Sequence, residues 1–142
     1  MGPAFFIAIY FAFTFSPISN QRIMSKFQDY DFAGKKAIIR VDFNVPLDER
    51  YNITDDTRIK ATMPTIKKIV KDGGSVILMS HLGRPNGKPN AKYSLRPVAE
   101  EVSRLLGQKV SFLNNCVGPE VEVAAANATG GSFFYFCYYE IN

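Results

Sequence analysis

Blocks of apolar and polar positions alternate between residues 25 and 131 in a pattern that predicts parallel α/β architecture. Lys36–Phe43 is a near-continuous apolar stretch and reads as a strand. After a polar loop, Asp55-Asp56 can cap a helix that carries Ile59, Met63, Ile66 and Val70 at helical spacing. Pro64 should bend that helix or delay its start, and Gly73-Gly74 end it. Ser75–Ser80 is an apolar run of the kind buried inside a parallel sheet. A loop rich in glycine and proline follows from His81 to Lys92, and Ser94 then caps a second helix. That helix places Val98, Val102, Leu105 and Leu106 on one face and closes at Gly107. Lys109–Leu113 predicts a third strand, and Pro119–Ala126 a third helix with proline in its first turn. The order is βαβαβα, a partial doubly wound, Rossmann-like sheet that is thin with three strands.

The two ends do not share this pattern. Residues 1–24 and 132–142 hold 12 of the 19 aromatic residues but only two charges, Arg22 and Glu140, so composition divides the chain into three parts. Ala4–Phe15 is free of charge but shorter than the roughly 20 residues of a membrane span. A secretory signal would carry its basic residues ahead of the apolar run, whereas Arg22 follows it. Residues 1–23 therefore read as an apolar leader outside the fold, with normal composition opening at Met24. Residues 132–142 read as an aberrant aromatic tail. Such a segment is either a terminal strand or the product of a chain that left its reading frame near Gly131, and exposed it would invite aggregation.

Composition narrows the function. With 46% hydrophobic and 21% charged residues the chain is not disordered, and its length suits one core. One histidine cannot build a multi-histidine metal site. Two cysteines cannot build a disulfide scaffold, and Cys116 and Cys137 read as free thiols of a reducing compartment. A net charge of +4 suits anionic partners but is too small and dispersed to argue for nucleic acid.

Ligands of open parallel sheets bind outside the carboxyl ends of the strands. Here those ends carry Asp42-Phe43-Asn44 and His81-Leu82-Gly83-Arg84, with Arg58 in the first turn of the first helix. Two or three cations, two hydrogen-bonding groups and backbone N–H groups around one crevice suit a small anion bearing phosphate or carboxylate, to which arginine offers a fork of donors. Plainer roles stand beside this one. Arg58 can pair with Asp55 or Asp56, His81 can be a core histidine, Asp42 and Asn44 can close a turn, and Gly83 can serve a positive φ. A P-loop is excluded, because Gly83 and Gly87 are separated by three residues rather than four and Pro89 follows Lys88.

Three motifs in order, Lys36–Pro46, Asp55–Ile59 and Ser80–Pro85, joined by the Tyr93–Ala99 segment, closely resemble the N-terminal part of phosphoglycerate kinase. The resemblance runs over about residues 24–131 and covers the front of that family's first domain. It implies an enzyme of glycolysis in the cytoplasm, a monomer without nucleic-acid or membrane partners. Such an enzyme moves a phosphoryl group from 1,3-bisphosphoglycerate to ADP, giving 3-phosphoglycerate and ATP. By the same resemblance Asp42, Phe43 and Asn44 hold the glycerate end, and His81, Leu82, Gly83 and Arg84 surround the substrate phosphate. Arg58 then stabilises the transferring phosphoryl group. Mg-ADP and Mg-ATP are the cofactors of the full-length family, and their site is expected to be absent from this chain. The family's Leu-Glu-Asn-x-Arg strand end should follow Gly131, where this sequence reads Ser132-Phe-Phe-Tyr-Phe. This chain alone is accordingly expected to be inactive. An anion-binding module without turnover, or an unstable fragment, is the alternative.

Overall fold

A computed structural model describes residues 6–10, 27–83, 91–115, 117–129 and 133–137. Five strands make one sheet: β1 (Phe6–Tyr10), β2 (Lys36–Arg40), β3 (Ser75–Ser80), β4 (Ser111–Leu113) and β5 (Phe133–Cys137). Their order is β1-β2-β3-β5-β4, and every neighbouring pair is parallel. Among the described residues three helices of eight residues or more lie between them: α1 (Thr57–Lys71), α2 (Arg96–Leu106) and α3 (Pro119–Ala126).

Right-handed crossovers dictate where the helices lie. The chain steps across the sheet in one direction from β2 through β3 to β4, which puts α1 and α2 on one face. It then steps back to β5, which puts α3 on the other. Two apolar clusters match this division. Ile39, Val76 and Leu78 pack with Ile59 and Ile66 of α1 and Val98 and Val102 of α2. Ile77 and Leu113 pack with Ile38 and Met79 of the sheet and Val121, Ala124 and Ala125 of α3. The predicted doubly wound α/β class is the class observed, and β3 is apolar from Val76 to Met79 because both its faces are covered.

Helix α1 begins at Thr57 and runs through Pro64, so proline neither delays nor ends it. The cost of an interior proline is about 3 kcal/mol. Against it stand Ile59, Met63, Ile66 and Ile69, all buried, each contributing about 1.5–3 kcal/mol. Ile69 takes the inward place expected of Val70, which is only half-buried. Gly74, at the end of that turn, has no room for a side chain, since a Cβ there would sit 2.9 Å from both Ile69 Cγ2 and the Phe32 carbonyl oxygen. Helix α2 starts one residue later than a Ser94 cap implies. Leu95 is the capping residue, fully buried, while the Ser94 hydroxyl accepts the Arg96 N–H at 3.3 Å. Helix α3 is anchored at its C-terminus, where the Lys36 ammonium donates to the Ala125 and Ala126 carbonyls at 2.8 and 2.9 Å. A cation there satisfies otherwise unpaired carbonyls and complements the helix dipole.

The leader differs from the expectation, and the tail takes one of its two readings. Phe6–Tyr10 of the leader forms β1, paired with β2 from Phe6 opposite Lys36 to Tyr10 opposite Arg40. Without it β2 would present an open edge of unpaired N–H and C=O groups, and a charge-free, aromatic-rich segment suits that edge. The aromatic tail supplies β5, which pairs with β3 on one side and β4 on the other. Of the two readings of that tail, a strand is the one found at Phe133–Cys137. The sheet is therefore two strands wider than the chain's middle alone could make it.

Candidate functional site

The site is built where β2 and β3 end. Beyond Arg40 the chain stays beside β3, with the Val41 N–H donating to the Met79 carbonyl at 2.9 Å. Burial then alternates strictly: Val41, Phe43 and Val45 point into the core, while Asp42 and Asn44 face outward. One residue in two is thus available for chemistry, and the intervening residues hold it in place.

Ser80, the last residue of β3, ties the two strand ends together. Its hydroxyl accepts the buried Phe43 N–H at 3.0 Å and donates to the His81 carbonyl at 3.3 Å. One step further on, the Gly83 N–H donates to Asn44 Oδ1 at 3.1 Å. Gly83 adopts φ +65°, and a Cβ there would lie 2.4 Å from the Tyr93 ring. Backbone and space both demand glycine. Tyr93 closes a 3₁₀ turn, Ala91–Tyr93, just ahead of α2.

Arg58 enters from the first turn of α1. Its guanidinium donates to Asp42 Oδ2 at 2.7 Å across 16 positions of sequence, and both side chains are more than half exposed. Neither of its nearby partners, Asp55 or Asp56, takes that contact. The Thr57 hydroxyl and then the Thr57 N–H satisfy Asp55 and hold its carboxyl below the usual range, and Asp56 pairs with Lys60 at 2.9 Å.

The structure therefore gathers Asp42, Asn44, Arg58, His81 and Gly83 at one end of the sheet. Phe43 and Leu82 belong to the core, 0% and 6% exposed, so they offer the site main-chain groups only. His81 is half-buried at the strand end, and Arg84 lies outside the described residues. The turn role foreseen for Asp42 and Asn44 is also present, since the Asn44 N–H donates to Asp42 Oδ1 at 3.2 Å. Sequence reasoning passed over what Ser80 and Tyr93 do. A hydroxyl closing a wholly apolar strand was a usable signal, because a buried polar group needs a partner. The Tyr93 contact carries no signal of its own.

A cleft of about 760 Å³ opens elsewhere, between the Arg50–Thr54 turn and the side of α2. Two of its charges pair with each other: Arg104 donates to Glu101 at 2.9 Å, which holds the Glu101 carboxyl below its usual range. We place the site at the strand ends, where exposed donors converge on one spot. Among the described residues no three His, Cys, Asp or Glu side chains are grouped to hold a metal ion, and no helix is long and apolar enough to cross a membrane.

Residues 27–136 match the family model for phosphoglycerate kinase, a span that takes in most of β5 as well as the middle of the chain. A phosphoglycerate kinase of Borrelia hermsii is 57% identical over 104 residues, which are 73% of this chain and 26% of that protein. One of Candida albicans is 57% identical over 108 residues, 75% of this chain and 26% of the relative. Among solved structures, phosphoglycerate kinase from Pyrococcus horikoshii superimposes with a TM-score of 0.68 at 27% identity, over 77% of this chain and 26% of its own. The Coxiella burnetii enzyme gives 0.61 at 33% identity, over 75% and 26%. The chain thus spans about a quarter of the length of the relatives it matches. With the family model covering more than half of the sequence, the chain belongs to the phosphoglycerate kinase family.

Proposed function

We propose that this chain carries the phosphoglycerate-binding part of a phosphoglycerate kinase, formed by residues 24–131, and that it acts in glycolysis in the cytoplasm as a monomer. The carrying observation is the convergence at one sheet end of Asp42, Asn44, Arg58, His81 and the Gly83 main chain, although 16 residues separate Asp42 from Arg58. Asp42 and Asn44 orient the glycerate end of 3-phosphoglycerate or 1,3-bisphosphoglycerate. His81, the main chain of Leu82 and Gly83, and Arg84 surround its phosphate. Arg58 neutralises charge on the phosphoryl group that leaves the C1 carboxyl for the terminal phosphate of ADP. Phosphoryl transfer asks for this kind of help, position and positive charge, rather than covalent assistance.

Family membership implies a nucleotide and Mg²⁺ for turnover. The described residues do not fit that pair, having neither a carboxylate cluster nor a P-loop spacing of glycines. We therefore assign this chain, taken by itself, substrate capture without turnover. Amide NMR during titration with 3-phosphoglycerate tests the assignment. Shifts should concentrate at residues 42–44, 58 and 81–83 and fade in Arg58→Ala. Identical shifts in the two proteins would remove Arg58 from the site, and ADP-dependent turnover by the purified chain would refute the division of labour.

A further inference from the structure

Tyr93 belongs to no strand or long helix, yet its ring lies against the one glycine that the site cannot replace. A Cβ built on Gly83 would come within 2.4 Å of Tyr93 Cδ1 and Cε1 and 3.4 Å of Cγ, so the Cδ1–Cε1 edge of the ring lies directly against Gly83. The ring is itself well held. Its turn, Ala91–Tyr93, leads into Leu95 and Val98, both fully buried in the same core as Leu82, the neighbour of Gly83.

Contact has a chemical consequence two steps away. Gly83 at φ +65° aims its N–H at Asn44 Oδ1, 3.1 Å distant. A carboxamide that receives a donor must present its oxygen there, which leaves its NH₂ group turned to the other side. Asn44 is exposed, and its NH₂ is then a pre-set pair of donors for a carboxylate or hydroxyl oxygen. If Gly83 were free to leave the left-handed region, its N–H would swing away and the carboxamide could rotate by half a turn.

We propose that Tyr93 is a positioning residue: by packing on Gly83 it fixes the Gly83 N–H to Asn44 Oδ1 and so presents the Asn44 NH₂ to an anionic glycerate ligand. The ligand half of this statement rests on the function proposed above; the orientation of Gly83 and Asn44 does not. The ring carbons Cδ1 and Cε1 make the contact, so the phenolic hydroxyl is dispensable and phenylalanine is sufficient. Leucine, too short to carry carbons to the place of Cδ1 and Cε1 together, is not.

Amide NMR and hydrogen exchange on the full chain, without ligand, decide the structural half. Tyr93→Phe should leave the Gly83 amide and the Asn44 side-chain NH₂ signals where they are. Tyr93→Leu and Tyr93→Ala should shift both and speed exchange at Gly83 about tenfold or more, while Val98 and Val102 in α2 keep their protection. Unchanged Gly83 and Asn44 signals in Tyr93→Leu overturn the proposal, as does a Tyr93→Phe variant that behaves like Tyr93→Ala. Should Tyr93→Ala also lose protection at Val98, Tyr93→Leu carries the test alone. A second arm titrates 3-phosphoglycerate. Affinity should fall about three- to tenfold in Tyr93→Leu, the worth of one mispositioned hydrogen bond, and stay level in Tyr93→Phe. Absence of binding to the unsubstituted chain would sink the proposed function, while the ligand-free signals would still judge Tyr93.

Discussion

Replacing Ser80 by alanine should cost more than the loss of one hydroxyl suggests. The Ser80 side chain is 3% exposed and the Phe43 residue whose N–H it receives is 0% exposed, so no water can stand in. The substitution takes from the buried Phe43 N–H the acceptor it has at 3.0 Å, and loss of a hydrogen bond to a buried donor costs about 1–3 kcal/mol. Some of this is offset because the hydroxyl no longer has to be desolvated, which leaves about 1–2 kcal/mol. For a chain of this size each kcal/mol corresponds to about 2–4 °C in Tm, so the midpoint should fall by about 2–8 °C. Urea denaturation at constant slope supplies the free energy, and amide exchange at Phe43 localises it. Ser75→Ala is the matched control, equally buried at 2%. Its hydroxyl is the donor, to the Thr129 carbonyl at 2.6 Å, and a carbonyl, with two lone pairs, tolerates the loss of one donor better than an N–H tolerates the loss of its acceptor. Ser80→Ala should therefore be the more destabilising of the two. A Ser80→Ala protein within about 0.5 kcal/mol of the parent, the range of indifferent surface changes, would show that the strand ends are not joined as described.

Two further outcomes follow from the same contacts. The Asp72 carboxylate receives the Lys68 ammonium and the Phe32 N–H, in that order of effect, and is held below the usual carboxylate range. A depressed folded-state value means stability present above about pH 4 and lost as pH falls through the folded value, so Asp72→Asn should flatten the acid limb of a stability-against-pH curve. An unchanged acid limb would show that other carboxylates set it. Lys36→Met removes both donors from the α3 C-terminus, at a cost of about 1–3 kcal/mol. Exchange at the Asn127 amide, which closes that helix on the Val123 carbonyl, should quicken before that of α1, and parallel changes in both helices would count against a local anchor.

Periodicity was enough to read the middle of the chain because its elements bury what their spacing says they bury. Pro119–Ala126 and Ser75–Ser80 match residue for residue, the first through its N-terminal proline and the second through an unbroken apolar run. Pro64 misled because local propensity opposes four buried side chains and loses. The ends misled for a different reason: composition reports whether a segment can be covered, not what covers it. Phe133–Cys137 is flanked by β3 and β4, and that slot exists only once α2 has carried the chain past it. At the site, strand-end logic found Asp42, Asn44, Arg58 and His81 because each stands at a fixed offset from an apolar run. It could not choose a partner for Arg58. Three aspartates lie within reach of that decision, and hydrogen bonds from Thr57 and Lys60 occupy the two nearest.

That choice of partner bears on how the site could work. An arginine held by a buried carboxylate would be difficult to recruit, because separating the pair would strand a charge. Arg58 and Asp42 are 54% and 62% exposed, and pairs of that kind are worth about 0–1 kcal/mol. A phosphate or carboxylate offering the same guanidinium two charge-assisted hydrogen bonds, each worth about 1.5–3 kcal/mol, outcompetes Asp42 without difficulty. Asp42, released, still accepts the Asn44 N–H and keeps its place in the turn. The pair thus holds the guanidinium over the strand ends without locking it there. On the proposed reading, an anionic substrate replaces one oxygen acceptor by another, and the long side chain need not be gathered from solvent before it can bind.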